Sequence, residues 1–170
     1  GITLISSQTA SSSASISFTT GITSTYKAYK FVFANIHPAS SASFDFNLST
    51  DSGSNYNVTK TSTFFTAQHN ENDALAQIDY ETGYDLAQST AFQTLSRPFS
   101  ADNDSGLSGS LILFNPSSTT YVKHFIARTS CFSTIPRIED SSIAGYGNTT
   151  SAINAIQFKM SSEGDCSWVA

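Results

Sequence analysis

Along most of this chain an apolar side chain recurs at every second residue, a period that suits a half-buried β-strand and not a helix. Asp45 separates Phe44 from Phe46, and Asn47 separates Phe46 from Leu48, so three apolar groups share one face. The same alternation runs through Ala14-Ser15-Ile16-Ser17-Phe18 and Ile156-Gln157-Phe158-Lys159-Met160. Tyr29 to Ile36 and Leu111 to Phe114 are apolar on both faces, as expected of strands inside a sheet or under another layer. Tyr121 to Phe132 is the longest candidate, with Val122, His124 and Ile126 opposing Tyr121, Lys123 and Phe125.

Turn chemistry falls between these runs. Asp51-Ser52-Gly53-Ser54, Asn115-Pro116-Ser117-Ser118 and Gly145-Tyr146-Gly147-Asn148 combine the residues that tight turns need. Pro38, Pro98 and Pro136 are expected outside the strands, because proline cannot donate to a β-ladder. The spacing predicts an all-β fold: an antiparallel, jelly-roll-like β-sandwich of eight or nine strands. At 170 residues the chain makes one domain, residues 1–170, large enough to bury a core without metal or disulfide. Its first residue is Gly1, which fits a processed form or the C-terminal part of a longer polypeptide.

One stretch interrupts the alternation. From Thr61 to Ser96 there are five acids (Glu71, Asp73, Asp79, Glu81 and Asp85) and no Lys or Arg. This reads as one long acidic loop excursion, with Asn70-Glu71-Asn72-Asp73 opening it and Ala74 to Ile78 supplying a turn or two of helix.

Composition narrows the function. Charged residues are only 12% of the chain, while 31 Ser and 20 Thr supply the solubility that Lys and Glu usually give. A net charge of −5 argues against nucleic-acid binding through a basic face. No apolar run approaches the roughly 20 residues of a membrane-spanning helix, so no membrane insertion is expected. The N-terminus has neither a basic nor an apolar segment of the signal-peptide kind.

Catalytic and metal motifs are also missing. There is no Gly-x-Ser-x-Gly elbow, and His37, His69 and His124 are scattered without metal-ligand spacing, so they read as structural. Asp102-Asn103-Asp104-Ser105-Gly106 begins like a calcium loop, but Leu113 stands where the bidentate Glu should be. It reads as a turn into the Leu107 strand, with a weak cation site shared with the acidic loop as the alternative. Cys131 and Cys166 read as free buried thiols in preference to a disulfide. No catalytic residue, cofactor or metal is assigned. A neutral, strand-rich surface of this kind can pack against copies of itself without desolvating many charges.

Longer phrases carry a resemblance. Leu4-Ile5-Ser6-Ser7-Gln8-Thr9-Ala10 leads to Phe18-Thr19-Thr20-Gly21-Ile22, and Ser24-Thr25-Tyr26-Lys27-Ala28-Tyr29 to Phe33-Ala34-Asn35-Ile36-His37-Pro38. Asn55-Tyr56-Asn57-Val58-Thr59-Lys60, Asp85-Leu86-Ala87-Gln88-Ser89-Thr90, Phe114-Asn115-Pro116-Ser117-Ser118 and Gly145-Tyr146-Gly147-Asn148-Thr149-Thr150 follow. The chain resembles Ser/Thr-rich β-proteins of tailed phages of marine and cyanobacterial hosts, of the tail-fibre, neck or capsid-decoration kind. Those relatives tend to close with Gly-Thr-Ile-Lys-x-Tyr-Gly, whereas Met160-Ser161-Ser162 here leads to Glu163-Gly164-Asp165-Cys166-Ser167-Trp168-Val169-Ala170. The last strand is therefore expected to be short, altered or missing.

The resemblance implies a non-enzymatic virion protein on the outer surface of capsid or tail, assembled in the host cytoplasm. Its partners would be copies of itself, as a homotrimer, and other capsid or tail proteins. The alternative is a receptor-binding module of a tail fibre, with Tyr80, Tyr84, Asp85 and Tyr146 meeting a host surface glycan. A glycan-degrading enzyme would need two carboxylates about 5–10 Å apart, and Asp79, Glu81 and Asp85 are the candidates.

Overall fold

The computed structural model describes residues 1–162, and residues 166–169 by their backbone. Among the described residues there are twelve strands and no helix. They are β1 (Thr9–Ser13), β2 (Ser15–Phe18), β3 (Ala28–Pro38), β4 (Ala42–Ser49), β5 (Lys60–Asn70) and β6 (Ala76–Tyr80). β7 (Gln93–Phe99), β8 (Leu107–Phe114), β9 (Lys123–Phe132), β10 (Arg137–Gly147), β11 (Ala155–Met160) and β12 (Cys166–Val169) complete the set. They form two antiparallel sheets in a sandwich-like arrangement. The smaller has the order β2-β11-β4-β7; the larger runs β3-β8-β9-β10-β5-β6 and is extended beyond β3 by β12 and β1.

The period-2 pattern decides what lies between the sheets. Phe44, Phe46 and Leu48 of β4 and Ile156 and Phe158 of β11 meet Phe33 of β3, Leu111 and Leu113 of β8 and Phe125 of β9, all buried. Phe158 is the hub, its ring 5.1 Å from Phe33, 5.5 Å from Phe31 and 5.8 Å from Phe44 between centroids. Phe46 meets Phe125 edge-on at 5.1 Å. Burying each such ring is worth about 1.5–3 kcal/mol, with a further ~0.5–1.5 kcal/mol for each well-placed ring pair.

Several expectations need correction. Among the described residues the strand number is twelve, not eight or nine, because the short strands β1, β6 and β12 pair through backbone groups that composition does not mark. The Thr61–Ser96 stretch is not one long loop. Its first part is the hairpin of β5 and β6, paired from Phe65↔Tyr80 to His69↔Ala76. Ala74 to Ile78 forms no helical turn, since Ala76 onward joins that ladder, and Asn70 to Asp73 make the hairpin turn, with Asp73 at φ 59°. Asp79 and the exposure of most of β6 disguised the strand, because an edge strand with one open side tolerates charge.

Two further readings move. Gly145-Tyr146-Gly147 is not a turn but the end of β10, paired with both β5 and β9. Gly145 is needed for close approach: a Cβ there would sit 2.6 Å from the Thr61 carbonyl oxygen and 2.6 Å from the Phe125 ring. Pro98 lies inside β7 and Pro38 ends β3. β7 is an edge strand, where a missing N–H is tolerated. The Asp51–Ser54 turn is as expected, with Gly53 at φ 88°. The closing strand β12 is indeed short, pairing with β1 and β3.

Candidate functional site

The larger sheet has one face on the core and the other open, and the open face is unusually apolar. Across it, register places Tyr80, Phe65, Ser142, Arg128, Ser110 and Val32 in one row. A parallel row runs Thr63, Ala144, Ile126, Ile112 and Lys30, and another runs Ile78, Ala67, Asp140, Ser130 and Ser108. Val32, Phe65, Ile78, Tyr80, Phe114, Ile126 and Ile138 all project here, from 38% exposed at Phe114 to 73% at Ile78. At ~150–200 Å² for a fully exposed large side chain, these seven together leave roughly 600 Å² of apolar surface open on this face, interspersed with Ser142, Arg128 and Ser110.

Charge on this face is sparse. Among the described residues its strands present Lys30, Arg128 and Asp140, and the last two satisfy each other. Arg128 Nε donates to Asp140 Oδ1 at 2.8 Å and Nη2 donates to Oδ2 at 2.5 Å. The Asp140 carboxylate beside it pushes the Arg128 guanidinium up from its ordinary value. The rest is Ser, Thr, Ala and His, which can be covered by another surface at little desolvation cost.

The residues expected to meet a glycan are only partly brought together. Tyr80, at the end of β6, donates its hydroxyl to Asp85 Oδ2 at 2.7 Å, and this bond raises the phenol's pKa. Tyr84 turns inward and packs on Phe64 with ring centroids 5.4 Å apart. Tyr146 lies on β10, 6.1 Å from the His124 ring, and its hydroxyl accepts from Gln88 Nε2 at 3.4 Å. Gln88 also donates to Thr61 Oγ1 and accepts from Asn148 Nδ2. Tyr80 with Asp85 and Tyr146 with Gln88 are therefore two separate polar clusters at the margin of the open face.

The three acids considered for glycosidic chemistry each have a different partner. Asp79 accepts from Gln68 Nε2 at 3.3 Å and also from Gln77; Glu81 pairs with Arg97 at 2.8 Å; Asp85 holds Tyr80. His37 Nε2 lies 3.1 Å from the Asp102 carbonyl oxygen and His69 Nε2 2.9 Å from Asp73 Oδ1, while His124 projects from β9. Asp102 to Gly106 form a turn into β8, closed by Ser105 N donating to the Asp102 carbonyl at 2.8 Å. That turn walls a shallow cleft of about 570 Å³ with Asn35, His37, Ser108, Ser130 and Phe132. Among the described residues no cluster of three His, Cys, Asp or Glu groups could hold a metal. Cys131 is a free, buried thiol that burial pushes up to about 12; the side chain of Cys166 lies outside the described residues.

Sequence reasoning missed a polar cluster inside the molecule. Lys60 begins β5 and is fully buried together with Asn47 of β4. Its Nζ donates to Asn47 Oδ1 at 2.5 Å and to the Val58 carbonyl at 2.8 Å. Asn47 Nδ2 in turn donates to the carbonyls of Tyr56 at 2.7 Å and Thr90 at 3.0 Å. Burial lowers the Lys60 amine to about 7. The signal was present in the sequence: Lys60 has the same strand parity as Phe64, so its side chain must face inward.

No protein-family model, curated protein or solved structure matches this chain.

Proposed function

We propose that this protein is a non-enzymatic structural component of a tailed-phage virion. It would act as a capsid decoration or appendage protein that self-associates and docks through the open face of its larger sheet. In this reading the fold is a jelly-roll-like sandwich, and the homotrimer and the neighbouring capsid or tail protein both use that face. One observation carries the proposal: the seven exposed apolar side chains all project from one face of the larger sheet, whose strands present, among the described residues, only Lys30 and the Arg128–Asp140 pair as charges. A freely diffusing monomer gains nothing from such a patch, whereas a particle component buries it.

A second reading, glycan recognition at a fibre tip, is favoured by one feature. Tyr80 is half-exposed beside Asp85, an aromatic face next to a carboxylate acceptor. It ranks second because Tyr84 is turned into the core and Tyr146 belongs to another cluster.

Immunogold microscopy of intact particles of the encoding phage tests both readings. Gold over the head supports decoration, and gold on tail or fibre supports an appendage role and directs glycan-binding assays to the Tyr80–Asp85 edge. Particles without label, in a preparation where the antibody detects the free protein, would sink the virion reading.

A further inference from the structure

We propose that Lys60 and Asn47 become joined by an intramolecular amide bond, Lys60 Nζ to Asn47 Cγ, with release of ammonia. The two side chains come from β5 and β4, strands of different sheets, so the bond would tie the sheets together. An Nζ–Oδ1 distance of 2.5 Å, with a C=O length of ~1.2 Å, puts Nζ roughly 3–3.5 Å from Cγ, within the range of a near-attack geometry. Both groups are fully buried and each is held on a second side, Nζ by the Val58 carbonyl and Nδ2 by the carbonyls of Tyr56 and Thr90. Water, the competing nucleophile, is kept away.

The chemistry balances without a co-reactant. The lone pair of the neutral Lys60 amine attacks Cγ, forming the C–Nζ bond. One proton passes from Nζ to Nδ2, the Cγ–Nδ2 bond breaks, and Nδ2 leaves as ammonia toward the Tyr56 and Thr90 carbonyls that already accept its hydrogens. The amine is suited to attack near neutral pH because its burial favours the free-base form. No carboxylate is hydrogen-bonded to the pair among the described residues, so the bond forms slowly after folding, not in a rapid assisted step.

Lys123 is an internal control. It too is fully buried, but among the described residues its Nζ donates to backbone carbonyls, those of Tyr121 and Thr149, and to no side-chain amide. Peptide carbonyls in a folded strand or turn cannot lose ammonia, so Lys123 should stay free.

The test is the intact mass of the full-length protein, fresh and after about two weeks at 37 °C and pH 8, followed by tryptic mapping. The expected result is a growing species about 17 Da lighter than the sequence, the mass of one ammonia. In that species trypsin no longer cleaves after Lys60, cleavage after Lys123 is unchanged, and fragmentation yields no break between Asn47 and Lys60. Lys60→Met and Asn47→Leu should each abolish the mass loss. An unchanged mass in the natural protein overturns the proposal whatever the variants do. So does a loss of ammonia that maps elsewhere while Lys60 remains cleavable, or a gain of about 1 Da from simple deamidation of Asn47.

Discussion

Replacing Ile126 by Asp tests the open face where it is most exposed to argument. Ile126 sits in β9, flanked across the ladder by Ala144 and Ile112, and is 47% exposed. That leaves roughly 80 Å² of apolar side chain, worth about 2 kcal/mol when covered at ~25 cal/mol per Å². In the homotrimer the same residue is covered once on each of three copies, so about 6 kcal/mol is lost, a weakening of the trimer association constant of roughly 10⁴-fold. A carboxylate trapped in the contact adds a desolvation cost on top. Folding should be nearly untouched, since the side chain points away from the core and an exposed strand substitution costs within about 1 kcal/mol. Sedimentation equilibrium over a broad concentration range reads the association constant, and urea denaturation reads stability. Thr50→Asp, in the exposed turn after β4, should leave both unchanged. If Ile126→Asp associates as tightly as the natural protein, or the natural protein stays monomeric at high concentration, the face is not a self-association surface.

Three further outcomes are expected. Phe158→Ala should destabilise the fold by about 3–5 kcal/mol in denaturant titrations, because it removes the ring on which Phe31, Phe33 and Phe44 converge; a cost below ~2 kcal/mol would refute its role as the hub. Asp45 is buried, and burial raises its carboxyl from 3.8 to about 6 against smaller opposing effects of Thr94 and Lys159. The unfolded chain loses this proton first as pH rises, so stability should fall by about 3 kcal/mol from this group between pH 4 and 6 and then level off. Asp45→Asn should remove that slope; Asp51, held near 2 by Ser49 and Asn55, titrates below the window. In a Cys166→Ser background, Cys131 should ignore a disulfide reagent at pH 8 until the protein is unfolded, because burial holds its thiol at about 12. Labelling of the native form at the rate of a free cysteine would contradict that burial.

Legibility in the sequence followed burial. Alternation reports which face of a strand meets the apolar core, as in Phe44, Phe46 and Leu48 or in Ile156, Phe158 and Met160, although it did not show that the polar face of β4 is buried as well. The hairpin of β5 and β6 was hidden because its outer strand carries Asp79 and is exposed on most residues, so no contrast survives. Gly145 was misleading for a different reason. Glycine serves tight turns and close backbone approach alike, and the Thr61 carbonyl and Phe125 ring that require the second use come from distant segments. Tyr84, expected to be exposed, is the one tyrosine of that reading that turns inward, and nothing local distinguishes it, packed on Phe64, from Tyr80, open at an edge.

The sequence by itself determined that this chain is a β-protein with a Phe-rich core and few charges, because a period of two and side-chain hydrophobicity act between near neighbours. Tertiary structure alone decided which strands adjoin, that Ile78, Phe65, Ile126 and Val32 share one open surface, and that Lys60 meets Asn47 away from water. Those are consequences of pairing between residues far apart in sequence. The free energy of such pairing comes from backbone ladders and interdigitated rings, whose partners no local window contains.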